Sequence, residues 1–154
     1  MARKIVFLDF DGVLNSAAYD RARTPNEGNI DETRMPLLRA LIEQTGAEIV
    51  LSTSWREHWS SSDEERDEIG DEIDGLFAAY GMRISDKTPT LKARADEILA
   101  WLSLHPEVSS FVILDDIAFG WGELVGHLIR TNPRIGRGLG AHHVEKAISL
   151  LNHE

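Results

Sequence analysis

Three short apolar runs limit what this chain can fold into: IVFL at residues 5–8, EIVL at 48–51 and FVIL at 111–114. Each is too short for an ordinary buried helix and too continuous for a strand with one wet face. That leaves strands buried on both sides of a parallel sheet. Weaker strand candidates lie at 82–84 and 127–129. All three strong runs stop abruptly at polar residues: Asp9-Phe10-Asp11-Gly12, Ser52-Thr53-Ser54 and Asp115-Asp116.

Helical patterns separate the runs. Leu37, Leu38, Leu41 and Ile42 make a helical stripe that Gly46 can end. Ile69, Ile73, Leu76, Phe77 and Tyr80 make a second, preceded by Ser62 and Glu65 in capping-box spacing. Thr90 is placed to cap a third, with Leu91, Ala95, Ile98 and Leu102 on its buried side. A last helix spans about residues 142–151, using Val144, Ile148 and Leu151. Strands alternating with helices predict an α/β fold in three layers around a mainly parallel sheet. Without repeats, low-complexity tracts or linkers, the 154 residues are expected to form one domain.

Composition narrows the function classes. There is no cysteine, which removes disulfides, thiolate metal sites and cysteine nucleophiles together. The formal net charge of −10 disfavours non-specific nucleic-acid binding, although a local basic pocket remains compatible with it. No apolar stretch approaches the ~20 residues of a membrane span. The basic, apolar start MARKIVFL is too short for a signal peptide and runs into two aspartates, so a cytoplasmic protein is expected.

In a parallel sheet the polar strand ends share one edge, where ligands bind. Asp9 and Asp11, two apart, point to the same side of an extended chain, and Gly12 permits a tight turn near a ligand. Asp9, Asp11, Asp115 and Asp116 would repel one another unless a cation joins them. An all-oxygen donor set favours Mg²⁺ over zinc. A hydroxyl and a lysine nearby would suit phosphate oxygens. Lys92, placed in the first turn of the third helix, is preferred to Lys87 for that lysine.

DFDGVLN resembles the first motif of the haloacid dehalogenase (HAD) superfamily. Ser52 in IVLSTSW, Lys92 in PTLKARADEI and Asp115-Asp116 in VILDD are similar to its second, third and fourth motifs, in the right order across nearly the whole chain. More narrowly, LSTSWR, HPEVSSFVILDD and LIRTNPRIGRGL resemble the HAD domain of Swiss-army-knife RNA-repair proteins. The resemblance implies a Rossmann-like HAD fold and a Mg²⁺-dependent phosphatase. Asp9 would be the nucleophile and Asp11 the general acid and base. Mg²⁺ would be held by the Asp9 carboxylate, the Asp11 backbone carbonyl and Asp115, with Asp116 behind them. Ser52, the backbone after it at Thr53, and Lys92 would bind phosphate.

Other residues admit two readings. Arg56 could clamp a substrate phosphate or pair with an acid, Glu57 or one of the next helix. Trp55 and Trp59 could form a base-stacking wall or pack in the interior. Asn15 either bonds near the nucleophile loop or belongs to a turn. His142-His143 begins the last helix rather than binding metal, and the acidic run 63–74 reads as a solvated helix face. Residues 13–30 are long enough for a flap but not a cap domain, and residues 57–89 are largely used by the core. An open, capless site suits a bulky phosphate ester such as a nucleic-acid end or a phosphoprotein, with Arg21, Arg23, Arg34 and Arg39 as a possible positive rim. The competing reading is a low-turnover phosphate-binding or protein-interaction module with the same fold. A response-regulator receiver fits poorly, because the late acidic pair and Ser52 stand in the wrong order.

Overall fold

The computed structural model describes residues 3–16, 30–132 and 138–152. The chain runs β1 (Arg3–Leu8), α1 (Met35–Thr45), β2 (Glu48–Leu51), α2 (Glu68–Ala79), β3 (Ile84–Lys87), α3 (Arg94–Ser103), β4 (Val108–Asp115), β5 (Leu128–Arg130) and α4 (Ala141–Asn152). Short 3-10 turns lie at Glu32–Arg34, Ser54–His58 and Gly122–His127. The five strands form one sheet in the order β3-β2-β1-β4-β5, and every pairing is parallel. The α/β expectation holds.

β1 lies at the centre, and its alternation divides the core. Val6 and Leu8 face a cluster that includes Leu38 and Leu41 of α1, Ile73 and Phe77 of α2, and Val144 and Leu151 of α4. Ile5 and Phe7 face the other layer, with Ala95, Ile98 and Trp101 of α3 and Leu124 of the last 3-10 turn. Phe7 meets Trp101 and Phe111 edge to face, with ring centroids 5.5 and 5.8 Å apart. Both faces of β1 are therefore dry, as its continuous apolar run requires.

Several local boundaries differ from expectation. Gly46 does end α1 in the left-handed region, at φ 71°. Ser62 and Glu65, however, belong to a turn, and α2 starts at Glu68 with Asp67 as its cap, accepting from the Gly70 N–H at 2.9 Å. β3 begins at Ile84 rather than Met82, whose buried side chain packs in the core beyond the strand. Thr90 does not cap α3, which begins at Arg94 after Ala93, a residue with no side-chain cap bond. Lys92 thus precedes the helix instead of occupying its first turn.

α2 carries two glycines in opposite situations. A Cβ on Gly70 would run into the His58 carbonyl, whereas one on Gly75 meets nothing within 4 Å. Gly75→Ala is expected to raise stability by about 0.5–1 kcal/mol. Gly70→Ala is expected to lower it by about 1–3 kcal/mol despite the better helix propensity. Urea denaturation midpoints of the two variants check the opposite signs.

Candidate active site

Ladder bonds continue past the strand ends and line up one polar row. Thr88 N–H donates to Leu51 O, Ser52 N–H to Leu8 O, Asp9 N–H to Leu114 O and Thr131 N–H to Asp115 O, all at 2.9–3.1 Å. The row therefore reads Thr88, Ser52, Asp9, Asp115, Thr131 across the sheet. Its members are all buried. Two of the hydroxyls, Ser52 Oγ and Thr88 Oγ1, have no hydrogen-bond partner among the described residues. A buried hydroxyl without a partner costs about 1–3 kcal/mol, and an incoming phosphate oxygen would relieve that cost.

Asp9 Oδ1 accepts the Phe10 N–H at 2.9 Å. Asp9, Asp115 and Asp116 each offer a carboxylate oxygen, and these oxygens lie within 4.8 Å of one another. Gly12 makes this crowding possible: its φ of 86° suits glycine, and a Cβ there would collide with the Asp116 carboxylate. The turn is held by Gly12 N–H to Asn15 O at 2.6 Å, while Asn15 Oδ1 accepts the Asp31 N–H at 2.8 Å. Thr131 Oγ1 donates to Gly12 O and Leu139 N–H to Val13 O, both at 2.7 Å, so the chain after β5 straps the turn down. Asn15 is thus part of the turn and braces the Asp9–Gly12 segment.

Burial, then the neighbouring Asp115 charge, pushes the Asp9 carboxyl up to about 7; Arg94 and a bond from Thr53 oppose the rise. Asp115 is also raised, by burial first, against the pull of Arg94 and the Ile117 N–H. This is the conflict a divalent cation resolves. Three carboxylate oxygens at this spacing could hold a metal ion, and an all-oxygen set is the kind that hard divalent cations take.

The cation that reaches the acids is one the sequence reading missed. Arg94, the first residue of α3, places Nη1 2.6 Å from Asp115 Oδ2 and 3.4 Å from Asp9 Oδ2. Lys92 is exposed in the loop before it and forms no hydrogen bond or ion pair with the described residues. Lys87 is turned inward, donating to the carbonyls of Trp59 and Arg56 at 2.7 and 3.2 Å.

Arg56 is buried, and each of its three guanidinium nitrogens donates a hydrogen bond. It donates to Glu97 Oε2 at 2.5 Å, to Thr53 O at 2.8 Å and to Thr90 Oγ1 at 3.2 Å. A phosphate clamp is not what this side chain does; it fastens the Ser52-Thr53 loop to α3. Its acid partner is Glu97, in the helix after the one considered from sequence. Glu97 also approaches Arg94 Nε at 3.7 Å, so the two arginines share one buried carboxylate. The tryptophans part ways as well. Trp59 is buried, with Nε1 bonded to Asp74, whereas half-buried Trp55 donates Nε1 to Asp11 Oδ2 at 3.0 Å. Of the expected rim, Arg39 pairs with Glu43 and Arg34 donates to Leu139 O; Arg21 and Arg23, with most of the flap, lie outside the described residues. His142 and His143 do lie in the first turn of α4, and among the described residues no helix is long and apolar enough to cross a membrane.

The family described as the HAD domain in Swiss Army Knife RNA repair proteins matches residues 5–144. No curated protein and no solved structure gives a significant match.

Two outcomes follow from the charges. An acid held above its unfolded pKa of about 4 favours folding at low pH and loses that contribution as pH rises towards 7. Metal-free protein should therefore lose stability over about pH 4–7, and Asp9→Asn should flatten that slope in denaturation midpoints taken across the range. Arg56→Met should cost about 3–5 kcal/mol by taking from buried Glu97 its shortest charged partner, and adding Glu97→Met should recover much of it. A double-mutant cycle in urea measures the coupling.

Proposed function

Because the chain belongs to the HAD-domain family of Swiss Army Knife RNA repair proteins, a HAD-type hydrolase, we propose that it is a Mg²⁺-dependent phosphatase working through an aspartyl-phosphate on Asp9. The observation that carries this reading is the buried Asp9 carboxylate, set between two more acids and the Arg94 guanidinium, beside an unpartnered Ser52 hydroxyl. Mg²⁺ bound by the Asp9, Asp115 and Asp116 carboxylates and the Asp11 carbonyl would neutralise charge on nucleophile and phosphate.

An Asp9 carboxylate oxygen attacks phosphorus, and the bond to the leaving oxygen breaks. Asp11 gives that oxygen a proton, then takes one from the water that attacks the phosphoenzyme and releases Asp9. Asp11 is exposed and is steadied by the Trp55 indole, so its carboxyl can reach a leaving group from the solvent side. Ser52 Oγ and the Thr53 N–H receive phosphate oxygens. Arg94 balances charge from within, while the exposed Lys92 amine meets the phosphate from outside.

With no cap domain in 57–89, where the described chain builds only turns, α2 and β3, the site suits a nucleic-acid end or another bulky phosphate ester. The second reading, a phosphate-binding module of low turnover, draws on one contact. Arg94 already satisfies Asp115 at 2.6 Å, a resting pairing that substrate binding would have to reorganise.

Turnover of an aryl phosphate should vanish with chelator, return with Mg²⁺ and fall at least about 10³-fold in Asp9→Asn. Asp11→Asn should cost about 10²-fold or more on an alkyl phosphate and far less on an aryl one, whose leaving group needs no proton. Arg94→Gln should lower kcat by about 10²-fold, and Lys92→Gln should act mainly on KM. Wild-type Mg²⁺-dependent activity in Asp9→Asn would refute the nucleophile; tight phosphate binding without turnover would favour the module.

A further inference from the structure

At Trp55 the surface opens into a groove of about 310 Å³ lined by Ser54, Trp55, Glu57, His58 and Ile69. Its position follows from the chain itself. Ser54 and Trp55 directly follow the Ser52-Thr53 pair, and Trp55 joins both features: its indole N–H holds Asp11 Oδ2 at 3.0 Å while the residue forms part of the groove wall. The ring is fixed by edge-on packing against Phe10, with centroids 5.9 Å apart. Trp55 thus links the Asp11 carboxylate to the groove wall.

The lining also has a chemical preference. Trp55 and Ile69 offer a flat aromatic and an aliphatic surface. Glu57 is exposed at the rim, and the one basic side chain in the lining, His58, turns Nδ1 to Asp67 at 2.5 Å. No free cation in the lining would receive a second phosphate, and Glu57 would repel one. Building on the phosphatase reading, we propose that this groove is the leaving-group subsite and takes a flat, uncharged ring, so that among bulky phosphate esters the preferred one carries one phosphate on a ring-bearing alcohol or phenol and no second phosphate beside it, which favours a monoester over a nucleic-acid end. The ring can be a nucleobase or an aryl group; both present the same flat face to Trp55.

Binding to the inert Asp9→Asn protein, measured by calorimetry, tests the groove independently of turnover. AMP and ribose phosphate differ only in the base, and AMP is expected to bind about tenfold tighter, the usual scale of one stacked base. Adenosine bisphosphate should bind more weakly than AMP, and adding Glu57→Lys should reverse that order. Adding Trp55→Leu should bring AMP and ribose phosphate together. Tyrosine phosphate, run in parallel, separates the two ring sources: a preference for either ring over ribose phosphate supports the subsite. Equal affinities for AMP, tyrosine phosphate and ribose phosphate would overturn it, as would a bisphosphate order indifferent to Glu57→Lys. Wild-type hydrolysis of these esters without ring preference would sink the groove and leave the phosphatase standing. Ring preference in binding, with no wild-type turnover of any ester, would do the reverse.

Discussion

Two buried carboxylates, Asp9 and Asp115, sit side by side where the sheet ends, and Arg94 reaches both. Burial and mutual repulsion work against their charged forms, and Asp116 adds a third negative group. The surrounding structure is arranged to hold this unfavourable cluster. Arg94 is shared with Glu97, Glu97 is held by Arg56, and Arg56 grips the carbonyl of Thr53. One chain of alternating charges thus ties the first turn of α3 to the loop after β2. Buried ion pairs are poor sources of net stability. Their role here is positional, since the contacts that offset the charge also hold the Thr53 carbonyl, next to Ser52 in the row.

Much of this was legible in the sequence because it depends on local signals. Continuous apolar runs can only be doubly buried strands, and a parallel sheet must bring their ends together. Asp9, Ser52, Asp115 and Asp116 followed from that logic alone. Gly46 was readable as a helix stop because the left-handed backbone there favours glycine.

The misplaced cation at the site has one cause, the phase of α3. Thr90 looked like its cap, which put Lys92 in the first turn and Leu91 on the buried side. The helix begins later, Leu91 is about half exposed, and Arg94 arrives where Lys92 was expected. A usable signal was present: Glu97 lies between Ala95 and Ile98 on the buried arc, and an acid there needs a cation. Arg56 and Arg94 meet that need, and periodicity among the apolar residues alone could not report it. Trp55 and Trp59 were indistinguishable for a similar reason. They are four apart on a short 3-10 turn and its end, and tertiary contacts send one to Asp74 in the interior and the other to Asp11.

The strap across the Gly12 turn has a consequence for how the chain acquires its shape. Gly12 O is bonded by Thr131, 119 residues further along, and Val13 O by Leu139. During synthesis the turn therefore emerges long before the segment that fastens it, and Asp9 long before Asp115. Until β4 and β5 dock, each acid can remain hydrated and apart from the others. The electrostatic penalty is incurred late, when most of the apolar core is already available to offset it.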